Sequence, residues 1–184
     1  SEVLVGMFTR KYIGRTMLLM LLFVCITPAG FLLTTWTTQL LKMLGFSVKE
    51  SLTAMTIISI GVPVGCFLTS LVSDLGGRKL PLAILGILAA VSALIFGGMS
   101  SLVMLTIAGF TVTVFNLALN FTLFSYTAES YPTRMRNTAT GFHNGLARLS
   151  VSASQPFIPM IHAAYGFLGI FASVAILFFL PVIP

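Results

Sequence analysis

Charged side chains are scarce in this sequence. They make up 8% of its residues, while hydrophobic residues make up 57% and the mean hydropathy is +1.05. An ordinary globular domain contains about 25% charged residues, so a water-soluble fold is excluded. The composition instead favours helices that cross a lipid bilayer, since about 20 apolar residues are enough for one crossing.

Acids are the rarer charged type, with four Asp and Glu residues against ten Lys and Arg residues. None lies in the middle of an apolar run, because Glu2, Glu50, Asp74 and Glu129 fall outside such runs or at their ends. The sequence also lacks paired intramembrane aspartates and the G-x-S-x-G and H-E-x-x-H motifs, which argues against an intramembrane hydrolase. We therefore predict that the protein is not an enzyme.

Cysteine is also rare, and its two positions do not indicate a metal or a cofactor. Cys25 and Cys66 lie inside apolar runs, without Cys or His neighbours at the spacing of metal ligands. Free cysteines in such surroundings behave as small apolar side chains. We expect neither residue to carry chemistry.

The apolar runs number six, and each is long enough to span a bilayer. We predict an all-α membrane protein, with an interfacial or cytoplasmic lead-in over residues 1–15 and a six-helix bundle over 16–184. The six spans are predicted at 17–41, 52–72, 80–98, 102–126, 139–161 and 165–184. Because the chain begins at Ser1 and shows no signal-peptide pattern, we expect its natural start to lie further upstream.

The cations indicate how the chain is oriented in the membrane, because cytoplasmic loops retain Lys and Arg. They are scattered between apolar runs and form no continuous basic stripe, so nucleic acid is not an expected partner. With both termini in the cytoplasm, seven cations lie on the inner side and two, Lys42 and Lys49, on the outer side. The inner cations are Arg10, Lys11, Arg15, Arg78, Lys79, Arg134 and Arg136. We expect a multi-pass protein of a bacterial inner membrane.

Two loops carry the most specific motifs. The first reads Asp74-Leu75-Gly76-Gly77-Arg78-Lys79, and the second reads Glu129-Ser130-Tyr131-Pro132-Thr133-Arg134-Met135-Arg136 and leads to Thr138, Gly141 and Arg148. Together they resemble the major facilitator superfamily, in which a D-x-x-G-R-[RK] signature follows the second helix of each half. The second loop is similar to the sugar-porter and metabolite:proton symporter branches. The resemblance implies the C-terminal six-helix half of such a transporter. Thr38 and Ser150 stand where these branches often have Pro and Gly.

The same resemblance implies a cytoplasmic gate made of charges from both loops. Its expected members are Asp74, Gly77, Arg78, Lys79, Glu129, Arg136 and Arg148. The alternative is that the loop charges only set the topology. Arg148 lies inside a predicted span, where an arginine costs about 2.5 to 3.5 kcal/mol. It is expected to pair with Glu129 or Asp74, or else to face the cavity and attract an anionic solute.

Polar side chains on otherwise apolar spans are candidates for the wall of a substrate cavity. They are Trp36, Gln39, Asn116, Asn120 and Asn144. Asn116 and Asn120 are one helical turn apart and therefore share a face. The alternative is that they only support contacts between helices, worth about 0.6 kcal/mol each. His143 could relay protons, but a lone histidine near a helix start more commonly has a structural role.

We predict transmembrane transport of a small organic solute, such as a sugar, an organic acid or a related metabolite, by alternating access. The expected partners are the bilayer, the solute, possible co-transported protons and an N-terminal six-helix half, on the same or a second chain. The alternatives are a stand-alone half that dimerises or regulates another carrier, and an inactive remnant. The sequence does not identify the solute or the coupling ion.

Overall fold

The computed structural model describes residues 6–72 and 79–179, without the side chain of Lys79. In this part of the chain the architecture is all-helical, with seven helices. They are α1 (Ile13–Thr35), α2 (Thr37–Met43), α3 (Val48–Val72), α4 (Lys79–Gly98), α5 (Leu102–Ser130), α6 (Thr133–Ser154) and α7 (Phe157–Phe179).

Among the described residues, five helices are long and apolar enough to cross a membrane: α1, α3, α4, α5 and α7. The chain is therefore a multi-pass membrane protein. Six spanning helices were predicted, and α6 differs from that prediction. It contains Arg134, Arg136 and Arg148 together with many Ser, Thr and Asn residues, so its composition alone does not make it a membrane span.

The fifth predicted segment, 139–161, is divided between two helices. Helix α6 ends at Ser154 and α7 begins at Phe157. Pro156 stands between them, where it has no backbone N–H to continue the helical hydrogen bonds. The predicted span crosses this point although Ser152, Ser154 and Gln155 interrupt its apolar character.

Helix α7 reverses direction at Gly166, whose φ of 66° and ψ of −163° are not helical. A cavity of about 100 Å³ is lined by Phe157, Ile158 and Ile161 before the glycine and by Ile170, Ser173, Val174 and Leu177 after it. In a straight helix Phe157 and Leu177 would lie about 30 Å apart, so the two parts must fold back on each other. The reversal lies next to the predicted boundary between 139–161 and 165–184.

The connection from α2 to α3 is specified by local sequence. Gly45 has a φ of 93°, its N–H donates to the Lys42 oxygen, and the Phe46 N–H donates to the Leu41 oxygen. These bonds form a Schellman motif, which favours glycine at this position. Ser47 and Glu50 then form a capping box, because each side chain accepts a hydrogen bond from the other residue's backbone N–H.

Helix α5 is the centre of the bundle and packs against α1, α3, α4 and α6, while α4 also packs against α7. The contact with α3 is close at Gly61 and Gly65. A Cβ atom on Gly65 would lie 2.7 Å from the Val114 oxygen, and one on Gly61 would lie 3.0 Å from the Phe110 oxygen. The absence of side chains at these two positions therefore permits the approach of the backbones.

Candidate functional site

Asn116 and Asn120 are joined on the face of α5 that meets α1. Asn120 Nδ2 donates to the backbone oxygen of Asn116 at 2.9 Å and to its Oδ1 at 3.0 Å. Asn116 is only 2% exposed, whereas Asn120 is half-buried. Gly30 of α1 lies against the Asn116 amide, since a Cβ atom there would be 2.6 Å from Oδ1. The structure therefore brings together two of the predicted cavity residues.

Trp36 links two breaks in the helical path that are far apart in sequence. It stands between α1 and α2, and its Nε1–H donates to Oε1 of Gln155 at 2.7 Å. Gln155 stands between α6 and α7. The ring of Trp36 is half-buried, so this predicted cavity residue is held by a partner across the bundle.

The other two predicted cavity residues are less constrained. Gln39 is exposed on α2, and Asn144 is half-buried on α6. Within the described part of the chain, neither side chain makes a hydrogen bond. The structure does not connect either one to the Asn116–Asn120 pair.

One face of α6 is open and carries Arg148. A Cβ atom added at Gly141 or Gly145 would meet nothing within 4 Å. Both glycines, Arg148 and Ser152 are exposed, and they recur at helical spacing. This glycine pair, unlike Gly61 and Gly65, packs against nothing in the described bundle.

Helix geometry separates Arg148 from Glu129. Arg148 lies about four turns, or about 22 Å, beyond the start of α6, and α6 runs back alongside α5 from the loop next to Glu129. That distance exceeds the combined reach of the two side chains. The described residues give the Arg148 guanidinium no hydrogen-bond or ion-pair partner. The expected pairing of Arg148 with Glu129 does not occur in this structure.

Only part of the expected gate can be located. Asp74, Gly77 and Arg78 lie outside the described residues, and so does the side chain of Lys79. Glu129 is exposed in the last turn of α5, and Arg136 is exposed in the first turn of α6. The gate remains a prediction.

The second motif loop is tied to α1 through Tyr131, a contact that the sequence analysis missed. The Tyr131 hydroxyl lies 2.8 Å from Thr16 Oγ1, which also lies 2.8 Å from the Met7 carbonyl oxygen and 3.0 Å from that of Tyr12. Carbonyl oxygens only accept hydrogen bonds, so Thr16 donates to one of them and Tyr131 donates to Thr16. A phenol is protonated at physiological pH, and burial raises the pKa of Tyr131 further.

His143 completes this buried cluster. It is fully buried, its Nδ1 lies 2.7 Å from the Ala139 carbonyl oxygen, and its ring lies 5.6 Å from that of Phe23. Because a carbonyl cannot donate, Nδ1 must carry the proton in this contact. These contacts fit the structural role expected for a lone histidine.

The arrangement described above is that of a helical membrane protein with polar groups inside its bundle. The family model described as Major Facilitator Superfamily matches residues 2–155. The chain therefore belongs to the major facilitator superfamily, a family of transporters and not of enzymes.

Several curated relatives are named for metabolite transport. The Bacillus subtilis (strain 168) protein YyaJ is 30% identical over 136 residues, covering 74% of this chain and 30% of the relative. NiaP of the same organism, named for niacin and nicotinamide, is 29% identical over 144 residues, covering 78% and 36%. The Escherichia coli (strain K12) inner membrane metabolite transport protein YgcS is 29% identical over 165 residues, covering 87% and 36%. The chain thus spans about a third of the length of these relatives.

Proposed function

We propose that the chain is the C-terminal six-helix half of a secondary transporter that carries a small organic solute by alternating access. The E-x-Y-P-T-x-x-R motif supports this choice of half, while the D-x-x-G-R-K motif fits either half. The span count becomes six if α6 joins the first part of α7 as one interrupted span and the chain reverses at Gly166. Both termini then lie in the cytoplasm.

The observation that carries the proposal is the open α6 face with Arg148. An arginine this far along a membrane-embedded helix requires water or an anion, because exposure to lipid costs about 2.5 to 3.5 kcal/mol. No described acid neutralises Arg148, and the face beside it is open. A water-filled cavity between this bundle and a second one provides such an environment.

Within that cavity Arg148 favours a solute with a carboxylate, since guanidinium binds carboxylates through charge-assisted hydrogen bonds. Gly141 lies about two turns closer to the loop on the same open face, so it borders the same cavity. The second bundle belongs to the same chain further upstream or to another chain.

Uptake by the full-length protein in proteoliposomes tests this function. Nicotinate and nicotinamide are a matched pair of probes, because they share a ring, and nicotinate carries a carboxylate where nicotinamide carries a neutral amide. For Arg148→Gln we expect nicotinate uptake at low concentration to fall about tenfold or more, nicotinamide uptake to be unchanged, and Arg148→Lys to restore part of the loss. Equal losses for both probes, or uptake of neither, would contradict the proposal.

Topology is tested separately with reporter fusions. We expect a cytoplasmic reporter to be active when fused after residue 184 or between residues 73 and 78, and inactive when fused at Gly45. The opposite pattern would contradict the proposed orientation without affecting the family membership.

A further inference from the structure

The hydrogen bonds within the Asn116–Asn120 pair determine which atoms remain available to a ligand. Nitrogen and oxygen of an amide are distinguished by their partners. The backbone oxygen of Asn116 can only accept, so the Asn120 atom 2.9 Å away must be Nδ2. The same nitrogen lies 3.0 Å from the Oδ1 of Asn116. This assignment follows from the chemistry of the backbone and needs no assumption about the solute.

The amide nitrogen of Asn120 is engaged within the pair. Nδ2 carries two donors, and both of its hydrogen bonds go to oxygens of Asn116. The remaining polar atom of Asn120 is Oδ1, which accepts no hydrogen bond from any described residue. Since Asn120 is only half-buried, its free oxygen is a hydrogen-bond acceptor at the surface of the bundle.

Gly30 holds this pair in position. A Cβ atom at Gly30 would lie 2.6 Å from Oδ1 and 2.7 Å from Nδ2 of Asn116, closer than non-bonded atoms approach. Asn116 therefore occupies the space left by the missing side chain, and α1 prevents its amide from moving away from Asn120. Phe23 and Phe124 pack edge to face about two turns further along the same helix contact, with ring centroids 5.2 Å apart.

We infer that Asn120 is a specificity-determining residue whose Oδ1 accepts a hydrogen bond from an O–H or N–H group of the transported solute. Asn116 and Gly30 are positioning residues that orient this acceptor. The inference rests on the proposed transport function and adds a donor group to the chemistry of the solute. A site with an acceptor alone discriminates against solutes that lack a donor, because its oxygen would lose its water without gaining a partner.

Binding of matched solutes to the full-length protein in nanodiscs tests the inference. The probes are 4-hydroxybenzoate and 4-methoxybenzoate, which share the ring and the carboxylate and differ in the donor. We expect the hydroxyl compound to bind about tenfold more tightly. In Asn120→Leu this ratio falls to about one, and in the control Asn137→Leu, an exposed amide on α6, it is unchanged.

Equal binding of the two probes to the unmodified protein would overturn the inference and leave the transport function intact. A ratio that persists in Asn120→Leu would do the same. If neither probe binds, the inference and the proposed solute class are both overturned.

A measurement without solute examines the positioning role. Gly30→Ala is expected to lower the melting temperature of the protein by several degrees, since the new methyl group collides with the Asn116 amide. In an Asn116→Ala background the same change is expected to have little effect. Equal effects in both backgrounds would show that Gly30 does not hold Asn116.

Discussion

The two glycine pairs with four-residue spacing are expected to respond in opposite ways to the same substitution. Gly65→Ala places a methyl group 2.7 Å from the Val114 oxygen and 2.8 Å from the Leu117 Cβ. Val114 O is a backbone atom and cannot move aside by changing a rotamer, so α3 and α5 must separate. Gly141→Ala places its methyl group in open space.

The expected magnitudes follow from these distances. Overpacking of a close helix contact costs about 1 to 3 kcal/mol, and 1 kcal/mol corresponds to about 2 to 4 °C for a chain of this size. Gly65→Ala is therefore expected to lower the melting temperature by about 2 to 12 °C. Gly141→Ala is expected to leave it unchanged or raise it slightly, because alanine favours a helix over glycine by about 1 kcal/mol.

Thermal unfolding in detergent, followed by the fluorescence of Trp36, provides the assay. This is the one tryptophan in the sequence, and it lies where α1 meets α2. The reasoning would be refuted if Gly65→Ala were neutral, or if Gly141→Ala destabilised the protein as much as Gly65→Ala.

Three further predictions concern single contacts. Gln155→Leu is expected to destabilise the protein in chemical denaturation by about 1 kcal/mol, because the hydrogen bond to Trp36 is lost. In a Trp36→Phe background the same change is expected to have no effect, and additive effects of the two substitutions would contradict the pairing. Tyr131→Phe is expected to lower the free energy of unfolding by a similar amount, about 1 kcal/mol, because the hydroxyl donates to Thr16. A double-mutant cycle with Thr16→Val that shows no coupling would argue against this bond. Gly166→Ala is expected to lower the melting temperature, since a residue with a side chain at a φ of 66° and ψ of −163° is strained by about 1 to 3 kcal/mol. An unchanged melting temperature would mean that the chain does not turn at this residue.

Much of the helical path could be predicted from hydropathy. The runs at 52–72, 80–98 and 102–126 correspond closely to α3, α4 and α5, because lipid requires each apolar segment to satisfy its backbone internally. Proline and glycine changed the path elsewhere. At Pro156 the missing backbone donor interrupts the helix, and the predicted span continued across the polar Ser154 and Gln155 just before it.

The candidate site could be predicted in type but not in geometry. Four-residue spacing placed Asn116 and Asn120 on one face, and the structure shows their amides bonded. The link from Trp36 to Gln155 crosses 119 residues of sequence, and Gly30 meets Asn116 from another helix. Neither contact has a local signature.

By itself, the sequence determined the class of this protein, since a chain with sparse charge and long apolar runs can fold only in a membrane. Its loop motifs also indicated the family, which the match to the family model then established. The tertiary structure decided which glycines are packed, which amide atoms remain free and which helix face is open around Arg148. The physical reason is that hydropathy and short motifs act along one segment of chain. Contacts between segments depend on the rotation and depth of each helix, and these are set only when the whole bundle packs.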